Sequence, residues 1–174
     1  MSEIVLRRMA AADMSAVLAV QAQCYGSALL ESADALASRL ALSPDTCWVA
    51  ALPGGHLAAY LFTHPWPTST LPPFDDVLMA HWPASAPLTW FVHDMAVAPV
   101  GRGAGLAARL YDAARDTALA MGLASSRLIA VQSAAAWWRR LGYAPLPAIE
   151  AAPHAAKLAA YGVDAVLMER RLPG

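Results

Sequence analysis

Short runs of alternating or continuous apolar residues recur along the chain, and each of them predicts a β-strand. The runs span residues 3–9, 46–52, 56–64, 87–97, 126–131, 142–146 and 163–172. The second and third runs are separated by Pro53, Gly54 and Gly55. Because glycine readily adopts the positive φ of a tight turn, these two strands are expected to form a hairpin.

Apolar residues spaced three and four positions apart predict helices between these strands. The predicted helices run from Asp13 to Cys24 and over residues 32–42, 103–121 and 133–141. Asp13 and Ser133 are residue types that cap helix starts, and Gly122 is of the type that ends a helix. The face of the longest helix that is expected to be buried consists of Leu106, Leu110, Ala113, Thr117 and Met121.

Residues 64–87 depart from both patterns. This segment holds six prolines, at positions 65, 67, 72, 73, 83 and 87, interleaved with Trp66, Phe74, His81 and Trp82. Such a density of proline is incompatible with a regular element, and long connections are typical of binding loops. We expect an insertion between strands that forms the rim of a pocket. The alternative is a surface segment whose aromatic residues only pack beneath neighbouring loops.

Composition narrows the classes of function. The formal net charge is −1, which supplies no basic surface for a nucleic-acid backbone. No window approaches the roughly 18 strongly apolar residues of a membrane span, and the N-terminus does not resemble a signal peptide. We therefore expect residues 1–174 to form a single cytoplasmic domain that binds neither nucleic acid nor membrane. Cys24 and Cys47 are expected to be small buried residues, and the scattered histidines predict no metal site.

Three glycines, at positions 101, 103 and 105, stand between the long strand and the longest helix. Free amides at a helix start attract anions, and glycine lets the backbone approach such a ligand closely. Arg102 adds a cation whose geometry suits phosphate oxygens. The segment therefore predicts a pyrophosphate site. A tight turn without a ligand would also explain the glycines.

A dinucleotide-binding turn is a second alternative, since Gly103, Gly105 and Ala108 fit the spacing G-x-G-x-x-A. That turn requires an acidic residue about 20 positions later. The following strand ends without one, which disfavours this interpretation.

The segment MAVAPVGRGAGLAARL resembles the coenzyme-binding motif of the GCN5-related N-acetyltransferase (GNAT) superfamily. Met95, Val97 and Pro99 match a strand ending L-x-V-x-P, and Arg102, Gly105 and Ala107 match the following R/Q-x-x-G-x-G/A. Downstream, AAAWWRRLGYAPL is similar to a second signature of that superfamily, F-Y-x-x-L-G-F, through Leu141, Gly142 and Tyr143.

This resemblance implies an α+β fold of the three-layer type. It implies a mixed, mostly antiparallel sheet of six to seven strands with helices on both faces. It also implies acetyl-CoA or CoA as co-substrate. The pantetheine arm is then expected to pair with Met95, Ala96 and Val97, and the pyrophosphate to lie on the loop of Arg102, Gly103, Ala104, Gly105, Leu106 and Ala107.

The activity implied is transfer of an acetyl group to a primary amine by direct attack in a ternary complex. The acceptor amine must lose a proton, and His93 and Asp94 are the candidate bases just before the coenzyme-pairing stretch. His93 is the first choice because histidine titrates near neutral pH. Strict alternation places His93 on the face of Met95 and Val97, whereas a β-bulge would reverse it. The sequence leaves this facing open.

Trp138 occupies the position at which many members of the superfamily have a tyrosine that protonates the leaving thiolate. Indole cannot act as that acid, so Trp138 is expected to pack against the coenzyme or the acceptor. Tyr143, Tyr60 or water could serve as the acid instead. Gln132 lies near the position of an asparagine that contacts the coenzyme in the superfamily.

The expected acceptor is a small, partly apolar amine or an amino-acid-like molecule, and a homodimer stays open. The alternative function is a catalytically inactive CoA-binding sensor or assembly module of the same fold, which the missing tyrosine would suit.

Overall fold

The computed structural model describes residues 3–173, in which seven strands form one mixed sheet. The strands are β1 Val5–Arg8, β2 Trp48–Ala51, β3 Leu57–Pro67, β4 Leu88–Val97, β5 Ser125–Ala130, β6 Ala144–Pro145 and β7 Val166–Arg171. Their order is β1-β2-β3-β4-β5-β7-β6, and the central β4–β5 pair is parallel while the other pairs are antiparallel. The α+β class and the mixed, mostly antiparallel sheet are confirmed.

Helices cover both faces of the sheet. They are α1 Met14–Cys24, α2 Ala33–Leu42, α3 Leu106–Ala120, α4 Ala135–Arg140, α5 Ala148–Ala151 and α6 Ala155–Ala159. Alternation along β3 separates two cores, since Tyr60 and Phe62 pack with α1 and α2 while Leu61 packs with α3. Among the helices of residues 3–173, none has the length and apolarity that a bilayer crossing requires.

The hairpin between β2 and β3 forms as expected. Gly54 and Gly55 both have positive φ, +81° and +82°, in the turn that joins the two strands. The turn therefore uses the conformational freedom for which glycine was singled out.

β3 continues through His64 to Pro67, so the insertion spans residues 68–87 and not 64–87 as the proline content suggested. Pro65 pairs with Trp90, and Pro67 pairs with Leu88. β2 pairs with β3 only as far as Leu61. Beyond Leu61, no strand of residues 3–173 pairs with this edge of β3. Prolines two residues apart direct their missing N–H groups to the same side of a strand, here the unpaired side, and so leave the pairing with β4 intact.

The insertion is tied to helices on two sides. Arg39 on α2 donates to the carbonyl oxygens of Pro73 at 2.7 Å and Asp76 at 2.9 Å. Tyr161, just after α6, donates to the carbonyl oxygen of Pro72 at 3.0 Å. Leu71 is completely buried. These bonds hold residues 72–76 against α2 and the segment after α6, whereas most of residues 79–86 are exposed.

α3 begins at Leu106, three residues later than predicted, because Gly103 and Gly105 are in the left-handed region. Its buried residues are Leu106, Leu110, Tyr111, Ala114 and Ala118. The buried face of α3 is rotated from the predicted face because Tyr111 packs on Trp90, with ring centroids 5.2 Å apart. Met121, expected on the buried face, is 47% exposed.

Two expected helix caps are absent. The Asp13 carboxylate accepts from the Ala10 amide and from the Arg7 guanidinium instead of the first amides of α1. Ser133 has φ +68° and lies one residue before Ala134, which is the cap residue of α4. Neither side chain therefore caps the helix start for which it was predicted.

Candidate active site

The central feature of the site is a gap between two neighbouring strands. β4 and β5 pair only from Trp90 opposite Ser126 to Val92 opposite Leu128. β4 then continues to Val97, while no strand of residues 3–173 pairs with it on that side. The two parallel strands therefore diverge and leave one backbone edge of β4 open.

Two residues of β4 present their backbone to this gap. The amide of Ala98 donates to Ala58 on β3, so Ala96, two residues earlier, also faces β3. Alternation then turns the N–H and C=O groups of Met95 and Val97 toward the gap. Of the three β4 residues expected to meet the pantetheine arm, Ala96 is the one whose backbone is used inside the sheet.

The end of α1 reaches the same edge. The Tyr25 hydroxyl lies 3.0 Å from the carbonyl oxygen of Met95, and the Cys24 thiol lies 3.4 Å from that of Val97. Cys47 is buried as expected. Cys24 is only partly buried, and it lines a cavity beside Met95 and Val97. These contacts could not be predicted from the sequence, since Cys24 and Tyr25 lie about 70 positions before the β4 residues that they meet.

The loop after β4 presents a row of free amides. Among residues 3–173, no hydrogen bond uses the backbone N–H groups of Gly103 through Ala108. Gly103 and Gly105 have φ +87° and +68°, which only glycine adopts easily. Gly101 has a different role, because an added Cβ would lie 2.9 Å from the carbonyl oxygen of Ala58. The three glycines thus shape the loop by conformation and by close packing.

Arg102 lies beside these amides and makes no salt bridge with any residue of 3–173. A groove of about 260 Å³ is lined by Val97, Arg102 and the start of α3. Because six successive amides, a helix N-terminus and a free guanidinium converge there, the groove suits a diphosphate better than an unliganded turn. Leu106 is buried in the core, so only its amide faces the groove, and Ala104 does not line it.

A cavity of about 240 Å³ continues this groove toward the centre of the sheet. It brings together most of the residues singled out from the sequence, namely His93, Asp94, Met95, Ala96, Val97, Arg102, Gln132 and Trp138. Trp138 is 7% exposed and packs edge-on against Tyr143. Tyr143 itself is hydrogen-bonded to Ser126 and Tyr111 and does not line this cavity.

A β-bulge decides which way His93 faces. Phe62 pairs with Asp94 and the next residue, Thr63, pairs with Val92, so His93 is the extra residue on β4. Met95 packs toward the α3 side, whereas the His93 and Asp94 side chains contact groups from the α1 end and the segment before α2. The bulge therefore reverses the facing that strict alternation predicts.

The His93 side chain is fully buried and bonded to Glu31, with Nε2 2.6 Å from Oε1. Its Nδ1 has no partner among residues 3–173. Burial lowers the pKa of His93, and the Glu31 carboxylate only partly opposes this. Burial acts to raise the pKa of Glu31, but His93 and Arg39 hold it below its usual range. The pair is consequently a neutral imidazole beside an ionised carboxylate.

Asp94 is bonded by two phenols. Tyr25 and Tyr60 place their hydroxyls 2.8 Å from Oδ1 and Oδ2 respectively. Burial raises the pKa of Asp94 to about 7, against the effect of these hydrogen bonds. Burial and the charge of Asp94 raise the pKa of both tyrosines well above the ordinary value. Both oxygens of Asp94 are thus occupied, whereas His93 has a ring nitrogen without a partner.

A smaller cavity of about 30 Å³ adjoins the first one at His93. It is lined by Tyr25, Leu29, Glu31, Phe74, His93, Asp94, Ile129, Val131 and Tyr161. Phe74, from the insertion, packs edge-on against Tyr161 with ring centroids 5.2 Å apart. The insertion therefore supplies one wall of this cavity. No group of three or more His, Cys, Asp or Glu side chains suited to a metal ion occurs in the described chain.

Comparison with known proteins identifies the family. A sequence model of the acetyltransferase (GNAT) family matches residues 14–143. The chain belongs to this family. No curated protein matches the sequence significantly.

Solved structures of similar fold are distant in sequence. The structure of a NatC complex bound to a Gag peptide and CoA is 15% identical, with a TM-score of 0.70 over 98% of this chain and 99% of that one. The ribosomal-protein-S18-alanine N-acetyltransferase from Escherichia coli is 16% identical, with a TM-score of 0.62 over 99% and 97%. An agmatine N-acetyltransferase mutant in its apo form is 17% identical, with a TM-score of 0.65 over 98% and 100%.

Proposed function

We propose that this protein transfers the acetyl group of acetyl-CoA to a small primary amine in a ternary complex. Membership of the GNAT family and a similar structure containing CoA support acetyl-CoA or CoA as the co-substrate. The observation that carries the proposal is the groove that runs from the free amides of Gly103–Ala108, along the open edge of β4, to His93, whose buried Nδ1 has no partner among residues 3–173.

The coenzyme is expected to be held largely by backbone. Its diphosphate fits the amides of Gly103, Gly105, Leu106 and Ala107, with Arg102 as the countercharge. Its pantetheine arm fits the edge of Met95 and Val97, between Trp138 and the end of α1. Gln132, at the opposite wall, is a further polar contact. When bound, acetyl-CoA supplies an acetyl thioester.

In the proposed reaction the amine nitrogen bonds to the acetyl carbonyl carbon and the carbon–sulfur bond breaks, releasing CoA as a thiolate. The proton lost by the amine passes to His93 Nδ1, which has no hydrogen bond to give up. Asp94 is less suited to this role because both of its oxygens already accept from tyrosines. The Met95 amide, which faces the gap, is suited to stabilise the developing oxyanion.

No tyrosine stands at the Trp138 position to protonate the thiolate. Tyr143 lies outside the cavity, and the Tyr60 hydroxyl is occupied by Asp94. A thiol with a pKa near 8.5 is a reasonable leaving group at neutral pH, so water suffices as the proton source. Trp138 is then a packing surface for the pantetheine arm.

The cavity beyond His93 favours an apolar acceptor. Leu29, Phe74 and Tyr161 supply hydrophobic walls, and no Arg or Lys occurs among its lining residues. An amino acid would bring a carboxylate into this space without a cation to pair with it, at a cost in desolvation. The cavity is also small, about 30 Å³, so a simple amine with a small apolar body is the expected acceptor.

The test measures thiol release from acetyl-CoA with a panel of amines, amino acids and short peptides, together with calorimetry of CoA binding. We expect CoA to bind and apolar primary amines to release thiol fastest. Binding without thiol release from any acceptor would instead favour the inactive CoA-binding module. Absence of binding to any CoA species would overturn both functions.

A further inference from the structure

Glu31 is a buried carboxylate, 6% exposed, that the sequence did not single out. It lies in the segment before α2, and its oxygens meet two hydrogen-bond donors and one guanidinium. His93 Nε2 is 2.6 Å from Oε1, and the Asp75 amide and an Arg39 Nη are 3.0 and 3.5 Å from Oε2. It therefore links the candidate base, helix α2 and the insertion.

We propose that Glu31 is a positioning residue that holds His93 as the Nε2–H tautomer, so that Nδ1 is the nitrogen that accepts the proton of the amine. This inference rests on the proposed function and names a residue that acts through His93 without touching the acceptor nitrogen.

The hydrogen-bond arithmetic supports this assignment. Burial acts to raise the pKa of Glu31, but His93, Arg39 and the Asp75 amide at Oε2 hold it below its usual range, so the carboxylate is ionised at neutral pH. The hydrogen in the short contact with His93 must then come from the imidazole Nε2. A neutral imidazole carries one N–H, so Nδ1 is left with a lone pair, and it has no partner among residues 3–173.

The position of Glu31 is itself fixed. Its amide donates to Gln21 Oε1 at 2.9 Å, and its carbonyl accepts from Gln21 Nε2 at 3.1 Å, so the residue is bonded to α1 through its backbone. Arg39 is in turn held by the carbonyl oxygens of Pro73 and Asp76. The insertion thus supports the tautomer of His93 through Glu31 as well as forming a wall of the cavity.

The charged and titratable groups that face His93 determine how its pKa changes when Glu31 is substituted. Glu31 favours the imidazolium, while Arg39 on α2 disfavours it. His64 on β3 lies with its ring 6.2 Å away, and burial lowers its pKa to about 3, so it is neutral. Tyr161 lies 6.4 Å away, and Asp94 is adjacent in sequence. Removing the charge of Glu31 leaves Arg39 unopposed, so the pKa of His93 falls.

The first test needs no substitution in Glu31. The chain has five histidines, so nitrogen-15 labelling of histidine gives a simple spectrum, in which His93 is assigned as the signal absent from His93→Gln. At pH 7 to 8 we expect His93 to show a protonated Nε2 and an unprotonated Nδ1. A protonated Nδ1, or an imidazolium in this range, would overturn the proposal. This readout stands even if no acceptor amine is found.

The second test compares Glu31→Gln with Asp34→Asn, which removes an exposed carboxylate from the first turn of the same helix region. We expect Glu31→Gln to lower kcat at least about 10-fold, a fraction of the ~10²–10⁴-fold that a general base contributes. The acid limb of the pH profile of kcat/KM should move to lower pH in Glu31→Gln. Asp34→Asn should change neither kcat nor this pH profile. A lower kcat with an unmoved acid limb and an unchanged His93 spectrum would reduce Glu31 to a structural residue and overturn the inference.

Discussion

The loop between β4 and α3 and the side-chain cluster around His93 lie at opposite ends of one groove, but they are built differently. The loop offers backbone amides whose direction is set by Gly103 and Gly105. The cluster offers side chains, chiefly Glu31, His93 and Asp94, that come from separate elements. Local conformation is enough to form the first, whereas the second exists only when distant segments pack. The two regions should therefore respond to different substitutions.

The largest expected effect separates chemistry from binding. His93→Gln should lower kcat by about 10²–10⁴-fold, because a positioned base contributes that much. The Kd for acetyl-CoA should stay within about twofold, since the backbone loop is untouched. Steady-state kinetics and calorimetry measure the two quantities. The control is His56→Gln, an exposed histidine after the hairpin. A large loss of coenzyme affinity in His93→Gln would show that the two regions are not independent.

Gly101→Ala tests the packing beneath the loop. The added Cβ would lie 2.9 Å from the Ala58 carbonyl oxygen and from Leu106 Cδ1, so the substitution should destabilise the protein by about 1–3 kcal/mol. Each kcal/mol lowers Tm by roughly 2–4 °C in a chain of this size. Thermal unfolding followed by circular dichroism measures the shift. An unchanged Tm would mean that β3 and α3 can separate at no cost.

Gly103→Ala and Gly105→Ala test the amides themselves. A residue with a Cβ resists positive φ by about 1–2 kcal/mol, so each substitution should weaken CoA binding about tenfold. Gly55→Ala is the matched control, because Gly55 has φ +82° and equally open surroundings but lies in the β2–β3 hairpin. All three should lose stability, and only the two loop variants should lose affinity. Equal affinities in all three would remove the loop from coenzyme binding.

The last prediction concerns a pH dependence of stability from Asp94. Its folded pKa of about 7 lies above the ordinary value, so the folded state holds a proton that the unfolded state releases. Its contribution is therefore favourable below about pH 4 and is lost as pH rises toward 7. Asp94→Asn should remove this downward slope when denaturant midpoints are measured between pH 4 and 7. Parallel profiles for the two proteins would mean that Asp94 is not buried as a neutral acid.

The end of the groove proposed to bind the coenzyme could be predicted more fully from the sequence than the end proposed to bind the acceptor. Arg102, Gly103 and Gly105 could be read directly because a strand, a glycine turn and a helix are consecutive in the chain. His93 and Asp94 were found by their position before that motif. Glu31 and Tyr25 were not found, since nothing between positions 25 and 93 indicates that their side chains meet β4. The proline content likewise overstated the insertion, because an edge of β3 accepts proline where no strand pairs with it.

By itself the sequence determined the order of the seven strands and of helices α1 to α4, and the place of the glycine loop, since these follow from local spacing and backbone preference, whereas α5 and α6 were not predicted. Only the tertiary structure decided the facing of His93, the partners of its imidazole and the width of the gap beside β4. A bulge of one residue reverses side-chain direction, and the contacts of Glu31 and Tyr25 span more than 60 positions, so neither is encoded in any short segment.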